Sequence, residues 1–291
     1  MELVHLANPE ITEKSEIMDN PENSENPETT KKTKPKKEKT EKKPKTEKKP
    51  KTEKKEKQTK IENPEFATRK NKYGIQLEYS DKYSVEIGVD EAGRGPLFGR
   101  LYVAGVVLPK DGSFDISEMR DSKKITSKKK IASLSEYIKE HALAWHIHFV
   151  EAEEIDEINI RQAVLKGMRI CIQEILHRLN EKSTSSNTFL LIDGNDFPGY
   201  TYFDSNSDQY VILPHETIPG GDNLYAAISC ASILAKVERD KYISDLCEHH
   251  PELIERYKIN QNMGYGTKHH LDGILEHGIT QWHRKTYSRC K

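Results

Sequence analysis

In SVEIGVDEAGRGPLFGRLYVAGVVLP, residues 84–109, two apolar segments flank a glycine-rich turn. Val85, Ile87 and Val89 alternate with Glu86, Gly88 and Asp90. That period of two puts successive side chains on opposite faces of a β-strand. Beyond the turn, LYVAGVVLP at 101–109 reads as a second strand. WHIHFV at 145–150 reads as a third, with Trp145, Ile147 and Phe149 alternating against His146 and His148. Those two histidines have no third ligand at a useful spacing and read as ordinary sheet residues.

From Asn159 the period becomes helical: Ala163, Val164, Gly167, Met168, Cys171, Ile172, Ile175 and Leu176 fall on one stripe, a core face. TFLLID then runs to Asp193 before a Gly-Asn turn, and YVILP at 210–214 is a further short strand. Both runs are dense enough in apolar residues to predict central, buried strands. A long helix is expected from about Asp222. Three strands of hairpin type followed by strands alternating with helices define an α/β domain with a mixed sheet.

The rest of the chain is compositionally different. It carries 46 Lys+Arg against 47 Asp+Glu, a net charge of −1, over 291 residues. Residues 1–30 hold eight acids and one Lys, a net of −7, whereas residues 31–60 hold sixteen Lys and five Glu, a net of +11. A total of −1 therefore leaves −5 for residues 61–291. Within the basic block KTEKKP occurs twice in tandem, at 39–44 and 45–50, followed by KTEKKE. So polar a stretch cannot offset its own ordering entropy, so residues 1–70 are expected to form a disordered, Lys-rich low-complexity extension and linker. It suits a solvated spacer, sequence-independent nucleic-acid binding by counterion release, or nuclear import, and composition does not choose among them. The folded domain is expected over residues 84–291.

No run approaches the ~20 apolar residues of a membrane span, and MELVHLANPEITEKSE lacks the basic and apolar regions of a signal peptide. Cys171, Cys230, Cys247 and Cys290 are scattered, without a CxxC pair or a zinc-like His spacing. They read as reduced thiols of an intracellular protein, cytoplasmic by default or nuclear through the Lys-rich block, not secreted and not bound to membrane.

Acids are abundant, so their placement matters more than their number. Asp90 and Glu91 end an otherwise apolar strand, Asp193 ends another, and Asp222 follows the Gly220-Gly221 pair. Each has a structural alternative: Asp222 suits a helix N-cap and Asp193 a turn. Together they suggest a site at the carboxyl ends of strands, where ligands gather in α/β sheets. Clustered carboxylates suit hard divalent cations such as Mg2+ or Mn2+, and an ion pair about 4 Å apart is the usual device for hydrolysing a phosphodiester.

With these residues located, a family resemblance becomes legible. GVDEAGRGPLFG at 88–99 closely resembles the signature of ribonuclease HII. DSKKIT at 121–126, EIDEINIRQA at 154–163, LLIDG at 190–194, GGDNLYAAISCASILAKVERD at 220–240 and MGYGTKHHLDGILEHGITQWHR at 263–284 follow in the family's order. The resemblance spans about residues 84–288 and implies an RNase H-like fold: a mixed five-stranded sheet flanked by helices. It implies an endonuclease that cuts the RNA strand of RNA/DNA hybrids and nicks 5′ to a single ribonucleotide in duplex DNA, using two Mn2+ or Mg2+ ions and leaving 3′-hydroxyl and 5′-phosphate ends. By resemblance Asp90, Glu91, Asp193 and Asp222 are the catalytic, metal-binding acids. The resemblance also implies that Gly93, Arg94 and Gly95 sense the ribose 2′-hydroxyl and that Tyr265 stacks on the sugar of the following deoxynucleotide. Lys123, Lys124 and Lys236 match family lysines and are expected to contact backbone phosphates. The catalytic domain is expected to be monomeric.

Four positions depart from the pattern: Phe98, Arg100, and Thr286-Tyr287 where Ser-Phe is common. Phe98 stands where Ala is usual and Arg100 where Pro is usual. A phenylalanine before that glycine is similar to the sister family, ribonuclease HIII, yet HIII carries Gly-Thr-Gly where this chain has Gly93-Arg94-Gly95. Ribonuclease HIII-like specificity and a non-catalytic hybrid-binding protein are the alternative readings.

Overall fold

The computed structural model describes residues 70–179, 187–204 and 207–290; the expectation for the charged N-terminal block therefore lies outside the described residues. Strand β1 (Val85–Ala92) is the centre of the sheet. It pairs antiparallel with β2 (Leu101–Val107), which pairs antiparallel with β3 (Ala144–Val150). On its other edge β1 runs parallel to β4 (Thr188–Asp193), and β4 runs parallel to β7 (His215–Ile218). The order β3-β2-β1-β4-β7 is the mixed five-stranded sheet expected. Helix α1 (Lys128–His141) connects β2 to β3, and α2 (Ala152–Ile158) and α3 (Ile160–Arg178) connect β3 to β4.

Each face of the sheet is closed by one long helix. The stripe read from the sequence of α3, Ala163 through Ile175, packs with Ile87, Val89, Val103 and Leu190 as one core layer. Helix α4 (Ala226–His249) covers the opposite face, and its first ten residues are all buried, as an apolar-all-round helix segment must be. Gly88 makes this close approach possible, because a Cβ there would stand 2.3 Å from the Ala227 carbonyl carbon. A third cluster joins Phe98 to Ile243, Cys247, Leu253, Tyr257 and Ile259, drawing in α5 (Glu252–Tyr257), α6 (Ile259–Asn262) and α7 (Lys268–His277). Residues 70–83 also join the fold: Ile75 and Leu77 are buried, and Gln76 bridges to Tyr225.

Two local expectations are corrected. YVILP is not a central buried strand. Gln209–Ile212 forms β6, which pairs only with β5 (Thr201–Asp204) in a separate hairpin where Tyr210 is 78% exposed. The fifth strand of the main sheet is the more polar HETI. Nor does a helix begin at Asp222. Gly221–Asn223 is one 3-10 turn following Gly220 at φ 69°, and α4 starts at Ala226 with Tyr225 as its N-cap.

Candidate active site

The carboxyl ends of β1 and β4 lie side by side because the strands are parallel, so Asp90, Glu91 and Asp193 share one end of the sheet. The left-handed Gly220 turns the chain after β7 so that the Gly221 N–H donates to Asp193 Oδ1 at 2.8 Å. This sets the buried Asp222 beside the same end, its Oδ1 accepting from Asn223 Nδ2 at 2.8 Å. Asp90 is buried and accepts the Glu91 backbone N–H at 2.6 Å.

Electrostatically the four acids are one system. Burial, then Asp193 and Glu91, hold Asp90 well above the usual carboxylate range. Burial raises Glu91 too, Asp193 adding to the effect and Arg94, at 3.6 Å, opposing it. Asp222 is raised by burial, by Asp121 and by Asp193. Asp193 is thus the neighbour common to the other three. Lys123 faces them: burial works against its charge, but Asp222, Asp90, Asp121 and Asp193 outweigh that and raise its pKa.

Four carboxylates offer the oxygen-only donor set of a hard divalent cation, and their repulsion is what such a cation relieves. Among the described residues, however, no group of three or more His, Cys, Asp or Glu side chains stands in a geometry that could hold a metal ion. The donor chemistry fits a divalent ion; the side chains as they stand are held by backbone N–H groups, Asn223, Ser232 and the charges of Arg94 and Lys123.

Beside the acids a groove of about 420 Å³ runs past Gly93, Arg94, Gly95, Lys123, Lys236 and Tyr265. Gly93 is required at φ 95°, and a Cβ there would stand 2.3 Å from Arg239 Nε. Tyr265 is 49% exposed, and its ring edge lies 3.6 Å from where a Cβ on Gly95 would be. Lys236 is paired with Asp240 at 2.8 Å on α4. Lys124 reaches Asn223, next to Asp222, instead of lining the groove.

Sequence reasoning missed what holds this turn. Arg284 is fully buried and donates to the carbonyls of Gly93 (2.7 Å), Arg94 (3.2 Å), Pro96 (2.9 Å) and Gly99 (2.9 Å). Arg239, also buried, donates to Phe98 O (3.3 Å), Arg100 O (3.3 Å) and Met263 O (3.0 Å), and burial pushes its pKa down to about 10. Two guanidiniums satisfied by main-chain carbonyls thus fix both sides of the turn. Asp121, which raises Asp222, and Ser232, which hydrogen-bonds Asp90, were missed as well. All four lie in or next to the recognised sequence blocks, but nothing in their spacing marks them as partners of a turn or of an acid.

The departures at 98 and 100 have physical partners. Phe98 is wholly buried, with the His283 ring edge-on at 5.0 Å. Arg100 pairs with Glu151 through Nε (2.8 Å) and Nη2 (2.5 Å) and lies 4.1 Å and 4.6 Å from the ring centres of Phe149 and Tyr242.

A sheet of this order, with acids at the parallel ends of β1 and β4 and a glycine turn beside them, defines an RNase H-like nuclease. Among solved structures the fold is similar to ribonuclease HII of Archaeoglobus fulgidus, solved with PCNA (TM-score 0.50, 24% identity, 70% of this chain and 95% of that one). It is also similar to Bst ribonuclease HIII in complex with Mn2+ (TM-score 0.52, 13% identity, 72% and 69%). The ribonuclease HII family model matches residues 87–290. Ribonuclease HII of Bacteroides thetaiotaomicron is 42% identical over 212 residues, 73% of this chain and 94% of the relative. That of Nitrosomonas europaea is 41% identical over 216 residues, 74% and 88%. The chain belongs to the ribonuclease HII family and is an endonuclease, a hydrolase acting on the RNA of RNA/DNA hybrids. Among the described residues no helix is long and apolar enough to cross a membrane.

Proposed function

We propose that this endonuclease nicks duplex DNA on the 5′ side of a single embedded ribonucleotide as well as cutting continuous RNA/DNA hybrids. Water attacks the phosphorus 5′ to the ribonucleotide, the bond to the preceding O3′ breaks, and O3′ leaves as a hydroxyl while the phosphate stays on the ribonucleotide. Asp90, Glu91, Asp193 and Asp222 are the metal-binding acids in this reading. Two Mg2+ or Mn2+ ions bound there would activate the water and stabilise the leaving oxygen.

The observation that most supports this reading is that Glu91, which lies next to the buried Asp90 at the end of β1, lines one groove with the Gly93-Arg94-Gly95 turn, while Asp193 adds to the raised pKa of Asp90, Glu91 and Asp222. The turn brings main-chain groups to a sugar without an intervening side chain, and the 2′-hydroxyl is what separates RNA from DNA. Tyr265 stacks on the next sugar; Lys123, Lys124 and Lys236 hold phosphates and so set register. Arginine at 94, instead of the threonine of the sister family, favours single-ribonucleotide recognition over the HIII-like reading. Residues 84–291 are the proposed catalytic domain, monomeric, and residues 1–70 a charged extension adding sequence-independent affinity.

The test is cleavage of a duplex with one ribonucleotide, compared with one carrying four, in Mg2+ and in Mn2+. A nick 5′ to the single ribonucleotide is expected, and Asp90→Asn is expected to abolish it. Cleavage of the four-ribonucleotide duplex alone, or full activity of Asp90→Asn, overturns the reading.

A further inference from the structure

Two histidines with no part in the site described above, His270 in α7 and His283 beyond it, are both buried. Their Nε2 atoms lie 3.0 Å apart. The partners of the other two ring nitrogens fix where the protons are. The Thr280 backbone N–H donates to His283 Nδ1 at 2.9 Å, so that nitrogen is unprotonated and the proton of the neutral ring sits on Nε2. Thr280 Oγ1 lies 2.8 Å from the same nitrogen and donates to it. At the far end His270 Nδ1 is 2.9 Å from the Tyr265 carbonyl oxygen, which can only accept, so Nδ1 carries the His270 proton and Nε2 is free to accept. The hydrogen bonds therefore run one way, from Thr280 through His283 and His270 to Tyr265, and close only with both rings neutral.

Their surroundings keep them so. The rings of Phe98 and Tyr257 stand 5.0 Å and 5.1 Å from His283. Burial, then the nearby His270, pushes the His283 pKa down to about 3, and burial lowers His270. At the other end, Tyr265 has a half-exposed ring, so its orientation must come largely from its own backbone. That backbone is fixed by the Tyr265 N–H donating to Asn262 O (2.9 Å), by Thr267 N–H donating to Tyr265 O (2.8 Å) and by His270. The same relay ties α7 to the segment that pairs with the substrate turn, where Phe98 bridges His283.

We propose that His270 and His283 are positioning residues, a neutral imidazole relay that sets the Tyr265 ring against the Gly93–Gly95 turn and thereby tunes recognition of the ribonucleotide-to-deoxynucleotide junction. This rests on the reading of Tyr265 as a substrate contact. His270→Phe keeps an aromatic ring but removes both links; His270→Asn keeps a donor near the place of Nδ1.

In the full-length protein His270→Phe lowers kcat/KM on the single-ribonucleotide duplex about tenfold relative to a uniform RNA/DNA hybrid, and His270→Asn restores most of that ratio. In a Tyr265→Ala background the further change of ratio disappears. An equal loss on both substrates, or full additivity with Tyr265→Ala, overturns the relay. A Tyr265→Ala variant with an unchanged ratio defeats the reading of Tyr265 instead. Independently of activity and of any variant's folding, 15N NMR of histidine-labelled wild type should show His283 protonated at Nε2 only and His270 at Nδ1 only. The opposite tautomers, or either ring charged at neutral pH, would also overturn the relay.

Discussion

Replacing Arg284 with Met should strip the Gly93–Gly99 turn of its clamp while keeping a long apolar side chain in the cavity. Three carbonyls, those of Gly93, Pro96 and Gly99, lose this donor; the fourth, of Arg94, still accepts from Tyr287 Oη at 2.7 Å. Leaving a buried acceptor unsatisfied costs about 1–3 kcal/mol, so three cost about 3–9 kcal/mol. Against this stands relief from burying a cation that, among the described residues, makes no ion pair with a carboxylate, worth several kcal/mol. A net loss of about 2–5 kcal/mol follows, and in a domain of this size each kcal/mol moves the melting temperature about 2–4 °C. The melt should therefore fall by roughly 5–15 °C. Cleavage of the single-ribonucleotide duplex should fall about 100-fold below the melting range, since a turn displaced by about 1 Å misplaces the scissile bond. Arg284→Lys should be nearly as damaging, because a single ammonium cannot span carbonyls on both sides of a planar fork. Calorimetry with a cleavage assay on the same samples is the measurement. A Met variant that melts within about 2 °C of wild type and cuts normally would refute the clamp.

Two further outcomes are expected. Phe98→Ala, which installs the residue more usual in the family, should cost about 3–5 kcal/mol in urea unfolding, because the wholly buried ring seats against His283 and Trp282. Stability should also fall on mild acidification through His283. Its folded pKa of about 3 lies below the unfolded 6.5, so between these values the unfolded chain binds the extra proton, and stability drops as pH falls. The slope is about 1.4 kcal/mol per pH unit per proton. His283→Gln should flatten it in urea titrations between pH 6.5 and 4.5; an unaltered slope counts against a neutral buried ring.

What the sequence made legible was whatever has a period or a boundary. The strands β1 and β3 and the stripe on α3 were read correctly: Ile87 and Val89 pack with the α3 stripe, Trp145 and Ile147 against the layer under α4, although the other face of β1 is buried too. The acids of β1 and β4 were legible because charge ends an apolar run. YVILP misled because apolar content reports burial only on average: Tyr210 and Ile212 stand exposed on a two-stranded hairpin, while polar HETI reaches the sheet as an edge strand needing only β4. The start of the long helix was placed four residues too early, at Asp222 instead of Ala226, since a left-handed Gly220 followed by a 3-10 turn and a helix start look alike in sequence. Arg284, Arg239 and the His270–His283 pair were illegible for a different reason. Their partners are main-chain atoms or residues brought near only by the complete fold, and a carbonyl leaves no trace in sequence.

The Arg284 clamp also bears on the order in which the protein acquires its parts. Asp90 and Asp193 share their end of the sheet as soon as β1 and β4 pair, whereas the turn at Gly93 waits for a guanidinium 191 residues downstream. During synthesis the strands that bring the acids together thus precede the residue that holds the turn. A nascent chain that has delivered α4 but not residue 284 would hold its acids beside a loop whose carbonyls lack their guanidinium donor. The arrangement of the turn thus depends on a residue that follows every strand of the sheet and α4 in the chain.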